Sequence, residues 1–245
     1  MKLIPTSLLT SLRRAFTLIE LLIVVAIISI LAALLFPSVG KMLAKGRTTQ
    51  SVSNLRQIHS AILGYASDND GNYPYSYGSG ALPPGGSDRE FWYNAVKVRL
   101  YPHPTAANRS ALDGPTGWGT ANVSRTILRS PNVEKAWPTS VISYGYNNKF
   151  AYNPSTSAKI SLIYNSAKTV MLADNLGNTQ FLTPEYGSSF GKLNARNGAT
   201  RDNATNGVAI AVFIDGHTEM LSAADCARLN ADRSMTNEFW GVRQN

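Results

Sequence analysis

From Phe16 to Phe36 every position is apolar except Thr17, Glu20 and Ser29. A helix of that length rises roughly 30 Å, about the hydrocarbon thickness of a bilayer. Beyond Pro37 the pattern changes but does not stop. Val52, Leu55, Ile58 or His59, Ile62 and Tyr65 or Ala66 recur at steps of three and four, with Lys41, Lys45, Arg47, Gln50 and Arg56 on the other face, as in an amphipathic helix. Asp68-Asn69-Asp70-Gly71 and Pro74 then bring turn residues and a proline. The pattern predicts one helix of roughly fifty residues, from about Thr17 to Ser67. Its first half is apolar all round and its second half is striped. Pro37 lacks a backbone donor and should kink or locally melt it.

Past Asp70 the long period is lost. Gly, Pro, Ser and Asn crowd Tyr73 to Asp88, which reads as a loop, and Arg89 to Val96 has the pattern of a short helix. Three β-like runs come next: Val141–Tyr146, Thr169–Ala173 and Val208–Ile214. The last meets Asp215-Gly216, a tight-turn signal, and returns as His217 to Leu221, so a hairpin is expected. Ser222-Ala223-Ala224-Asp225 then predicts a capped short helix. No internal repeat and no second hydrophobic core is legible. The expected fold class is α+β: a long N-terminal helix, membrane-spanning in its first half and amphipathic in its second, packed on an antiparallel β-sheet head.

Composition narrows the class. With 245 residues there is room for a membrane segment and one head of ordinary size. The formal charge is +8, and without Lys2, Arg13 and Arg14 it falls to +5. Those three cations precede the apolar run and no acid accompanies them, so the positive-inside rule keeps them cytoplasmic and exports the chain beyond Pro37. The head from Gly71 onward carries 16 Lys+Arg and 12 acids. Its cations, among them Arg125, Arg129, Lys135 and Lys149, are dispersed and not clustered, so a solvated surface is favoured over nucleic-acid binding. One cysteine, Cys226, excludes an intramolecular disulfide framework.

Glu20 is the anomaly. A carboxylate inside a membrane span costs on the order of 2.5–3.5 kcal/mol. An ordinary secretory signal has an apolar core of about 7 to 15 residues and a small-residue cleavage site after it. Here the core is longer and is followed by Phe36-Pro37-Ser38-Val39-Gly40-Lys41. A plain uncleaved anchor satisfies the hydropathy but leaves Glu20 without a role.

Arg13-Arg14-Ala15-Phe16-Thr17-Leu18-Ile19-Glu20-Leu21-Leu22 resembles the processing segment of type IV pilins and type II secretion pseudopilins. The resemblance implies a leader of residues 1–15, removed by a prepilin peptidase between Ala15 and Phe16, and N-methylation of Phe16. It divides the rest into a transmembrane and filament-core helix (16–37), its amphipathic continuation (38–70) and a globular head (71–245). Ala15 stands where the family usually has glycine, and Pro37 matches a proline at the end of the embedded helix. Implied partners are the peptidase and methyltransferase, other pilin-like subunits, the inner membrane and the assembly platform of a secretion or pilus machine. The head would be periplasmic, or at the cell surface in an assembled filament. Physically, an unpaired Glu20 and an unpaired Phe16 amine are both costly in a dry filament core, and pairing them between neighbours relieves both and sets the stagger.

A second resemblance covers the head. Asn54-Leu55-Arg56-Gln57, Tyr65 to Pro74, Ser143 to Asn147, Val170 to Asp174 and Phe213 to His217 are similar, in order, to large pilin-like proteins with a C-terminal H-X9-DG motif. Asp215-Gly216 supplies the Asp-Gly. The histidine position is Thr205, with Asn197 as a shifted equivalent.

Candidate chemistry is sparse. His59 falls on the stalk's apolar stripe, His103 in a loop between prolines, and His217 just after a turn, where local hydrogen bonding is expected. No nucleophile elbow, zinc-protease helix or phosphate-binding loop is present in the sequence, and the chain does not read as an enzyme. No cofactor is expected. Calcium is the weak option, through Asp174, Asp215 and Glu219 if strands Thr169–Ala173 and Val208–Ile214 are neighbours; Asp68-x-Asp70-Gly71 lacks the later bidentate glutamate of a calcium loop. Tyr73, Tyr75 and Tyr77 form an aromatic stretch whose expected role is packing. The expected function is a structural subunit of a type IV pilus-like or type II secretion pseudopilus filament. The alternative is a membrane-anchored binding module for DNA or glycan that does not polymerise.

Overall fold

A computed structural model of the chain describes residues 16–74, 92–93, 99–100, 126–133, 142–148, 163, 165–176, 181–182, 191–198, 206–232 and 238–241. The long helix is α1, Leu18–Asp68. It starts and stops within a residue of the expected bounds. Helical geometry continues through Pro37, so the expected local melting is absent: proline removes one backbone bond, and the turns on either side hold the segment. At the other end Gly71 N–H donates to the Ala66 carbonyl at 2.8 Å, closing the last turn. Asp70 and Gly71 take left-handed φ values of 53° and 75° there. That turn accounts for Asp68-x-Asp70-Gly71, and Asp68 is in addition ion-paired with Arg99.

The chain divides into two compact units, Met1–Met42 and Leu43–Asn245. In the first unit, no described side chain from Phe16 onward is buried. In the second, α1 lays its stripe on a sheet. The strands are β1 (Tyr144–Asn147), β2 (Val170–Leu176), β3 (Phe181–Leu182), β4 (Lys192–Leu193), β5 (Val208–Phe213) and β6 (Thr218–Ser222). Their order is β3-β1-β2-β5-β6, with β4 pairing to β2 off that path. All pairings are antiparallel except β1 with β3, which is parallel. A short helix, α2 (Ala223–Ala231), comes directly after β6.

Strand periodicity sorts the core. Along β5, Ile210 and Val212 face a cluster with Leu55, Ile58 and Ile62 of α1, while Ala209, Ala211 and Phe213 face a second cluster with Cys226 and Leu229 of α2 and with Phe239 and Trp240. The expectation of a single hydrophobic core is thereby corrected: the central strands are covered on both faces. Successive residues of β5 feed different clusters, which is why the run reads as continuously apolar. The second cluster is closed by the C-terminal turn, where Val170 N–H donates to the Phe239 carbonyl and Asn147 Nδ2 donates to the Trp240 carbonyl at 3.1 Å.

Candidate functional site

The first candidate site is the beginning of α1. Phe16 is 77% exposed, and the run to Phe36 presents apolar side chains in every direction. Among the described residues this helix is long and apolar enough to cross a membrane, and none of its most apolar stretch is buried. Glu20 has a local partner. Its Oε2 accepts from the Thr17 backbone N–H at 2.9 Å and from the Thr17 hydroxyl at 2.8 Å, while Thr17 Oγ1 accepts from Glu20 N–H at 3.3 Å. This is a capping box, Thr-x-x-Glu, which satisfies donors at the helix start and places a negative charge at its positive end. Its signature is present in the sequence, masked there by the oddity of a charge in an apolar run. Ala15, on the other side of the expected cut, lies outside the described residues, and so do Thr205, His103, Tyr75 and Tyr77. Pro37 is within α1.

The second is the hairpin at Asp215-Gly216. His59 of α1 is buried, and its Nε2 lies 3.1 Å from the Ile214 carbonyl. Burial holds its pKa below the ordinary 6.5, more than that hydrogen bond and the charge of Asp215 raise it. Gly216 has a φ of 91°, and a Cβ there would stand 3.2 Å from His59 Cε1. The left-handed backbone favours glycine, and a side chain would also crowd the His59 ring, which would have to give by a few tenths of an ångström. On the outer side His217 stacks on Phe213 with centroids 4.3 Å apart, and its Nδ1 lies 2.5 Å from Asp215 Oδ1 and its Nε2 3.4 Å from Glu219 Oε1. The expected local bonding of His217 is therefore seen. Desolvation is the largest influence on Asp215 and raises its pKa, but the hydrogen bonds from His217 and the nearby histidine charges together leave it below the ordinary value.

The third joins Asp174 and Asn197, each singled out in the sequence for another reason, to residues that were not. Asp174 and Arg196 are both wholly buried, with Arg196 Nε 3.6 Å from Asp174 Oδ1. Asp174 Oδ2 accepts from Asn197 Nδ2 at 2.6 Å and from Ile210 N–H at 2.9 Å. Asn197 Oδ1 accepts from Asn132 Nδ2 at 2.6 Å, and Asn132 Oδ1 accepts from Arg47 Nε at 2.9 Å. A polar thread thus runs from α1 through two asparagines to the middle of the sheet. Asn197, the shifted equivalent of the motif histidine, is a link in it. Beside the thread, the Ser51 hydroxyl bonds the buried Tyr144 hydroxyl at 2.7 Å.

The calcium candidates lie as follows. Strands β2 and β5 are neighbours, as the calcium option requires, but Asp174 is enclosed in the thread, whereas Asp215 and Glu219 flank His217 at an exposed turn. The three carboxylates do not converge, and no group of three His, Cys, Asp or Glu able to hold a metal occurs among the described residues.

Fold and site together define a membrane-anchored α+β protein with a bare apolar stalk and a head built on a mainly antiparallel sheet. Residues 10–36 match the family model described as the prokaryotic N-terminal methylation motif. The chain is 30% identical over 152 residues to the type IV major pilin protein PilA of Myxococcus xanthus (strain DK1622), an alignment covering 49% of this chain and 69% of that protein. No solved structure matches it. The chain belongs to the type IV pilin family, and with its methylation motif this makes it a structural subunit of a pilus or pseudopilus.

Proposed function

We propose that the leader is cut between Ala15 and Phe16, that Phe16 is N-methylated, and that the mature chain polymerises through α1 from an inner-membrane position with its N-terminus cytoplasmic and its head exported. The observation that carries this reading is the bare apolar face of α1, with Glu20 as the single charge in a run from Phe16 to Phe36. In a membrane or filament core, packing of such helices supplies most of the association. Glu20 then exchanges part of its local bonding to Thr17 for the Phe16 amine of a neighbour, which relieves two buried charges at once and sets the stagger.

Two measurements test it. Intact mass of protein from native membranes, with and without the peptidase, should show a chain beginning at methylated Phe16; retention of residues 1–15 would leave only a membrane anchor. Glu20→Gln separates charge from capping, because glutamine also completes a capping box. Pelletable polymer should be lost in Glu20→Gln as in Glu20→Ala. Wild-type polymer yield from Glu20→Gln would mean that the residue serves only to cap α1.

A further inference from the structure

Charge is unevenly distributed along the chain. Between Glu20 and Asp68 lie four cations, Lys41, Lys45, Arg47 and Arg56, and no acid. Arg47 is committed to Asn132 and Arg56 to Thr218 within the chain. Lys41 and Lys45 are exposed, and neither makes an ion pair among the described residues. Residues 206–232 carry the opposite balance: Asp215, Glu219, Asp225 and Asp232 against Arg228.

The same acidic stretch holds an apolar feature. Met220, on the outermost strand β6, is 60% exposed. Beyond Leu43 it is the only large apolar side chain so exposed among the described residues. Beside it Phe213, Leu229 and Phe239 help line a cavity of about 440 Å³, whose wall also carries the pairs Lys168–Glu238 and Arg228–Asp225 and, outside those pairs, Glu219. An apolar anchor with a charged rim is the anatomy of a protein contact. The stem has the matching chemistry: Met42 and Leu43, 74% and 59% exposed, lie between Lys41 and Lys45.

We propose that the β6–α2 edge of one subunit receives the Lys41–Lys45 stem segment of a second copy of this chain, with Met220 and its cavity taking the apolar side chains and Glu219 facing the lysines. Donor and acceptor surfaces differ, so the contact is head to tail; such a contact repeats from copy to copy, and the polymerisation proposed above calls for the open, filament-forming case. Exposed ion pairs add little affinity; their effect is on register and on the exclusion of wrong neighbours. The inference rests on the polymerisation proposed above and names the surfaces that polymerisation would use outside the apolar core.

The test uses the full-length chain in native membranes. With buried Cys226 changed to Ser, the pair Leu43→Cys and Met220→Cys should give an oxidation-dependent ladder of cross-linked chains, and either cysteine alone should give none beyond dimer. Glu219→Lys should lower pelletable polymer by about tenfold, and adding Lys45→Glu in the same chain should restore most of it. Unchanged tryptophan fluorescence, to which buried Trp92 and Trp240 contribute, shows that the head has kept its fold. Wild-type polymer with no ladder would overturn this contact and leave polymerisation standing. A wild-type chain that never enters polymer would overturn both.

Discussion

Replacing Asp174 with alanine removes the carboxylate on which β2, β5 and the segment after β4 converge. Arg196, which also donates to the Asn175 carbonyl, would lose its carboxylate neighbour, and breaking a buried ion pair from one side costs about 3–5 kcal/mol. Asn197 Nδ2 and Ile210 N–H would each lose an acceptor, and a buried donor left unsatisfied costs about 1–3 kcal/mol. These losses share one side chain and overlap, so the expected total is about 5 kcal/mol, against about 5–15 kcal/mol for a whole domain. The assay is urea unfolding of the full chain in detergent, followed by the fluorescence of buried Trp92 and Trp240. The paired variant Asp174→Leu with Arg196→Met removes both charges and should recover most of the loss, because apolar replacement of a whole buried pair is often neutral. A cost below about 1 kcal/mol for Asp174→Ala, or a double variant no better than either single, would refute the argument.

Two further outcomes concern the hairpin. Gly216→Ala forces a side chain into left-handed backbone and against His59, and should lower stability by about 1–3 kcal/mol in the same urea assay; an unchanged midpoint would mean that the turn relaxes freely. His59 is held neutral by burial, so the unfolded chain binds more protons than the folded one as pH falls below 6.5. Its contribution is present above that value and is lost as pH falls through the lower folded pKa. Stability measured across that range should therefore decline more steeply for the wild type than for His59→Gln, and parallel curves would sink the assignment.

Much of the architecture is legible in the sequence because its signals are local. The three- and four-residue spacing of Leu55, Ile58 and Ile62 announces the buried stripe of α1, and Asp70-Gly71 marks its end. Asp215-Gly216 announces the hairpin. Ser222 and Asp225 announce the cap of α2, where Asp225 N–H donates to Ser222 Oγ at 3.1 Å. Each of these rests on residues a few positions apart, where backbone geometry itself creates the contact.

The candidate site divides along the same line. The apolar run, Phe16 and Glu20 stand out within the first forty residues, and the Thr17–Glu20 box is spelled there too. Asn132 and Arg196 carry no such mark, and Asn197 is marked only as a shifted motif position. Arg47 is 85 positions from Asn132, and Asn132 is 65 from Asn197. An asparagine that will be buried at such a junction looks, in sequence, like any loop asparagine.

By itself the sequence determined the membrane-length stalk, its amphipathic continuation, the Asp-Gly hairpin and the capped helix, since period, turn residues and caps act within a few residues. The tertiary structure alone decided that β3 joins β1 in parallel and that the central strands are covered on both faces. It alone drew Asp174 into a buried thread, away from Asp215 and Glu219. Those outcomes depend on segments meeting across long loops, where the reward is burial of apolar faces and pairing of polar groups that no local pattern records.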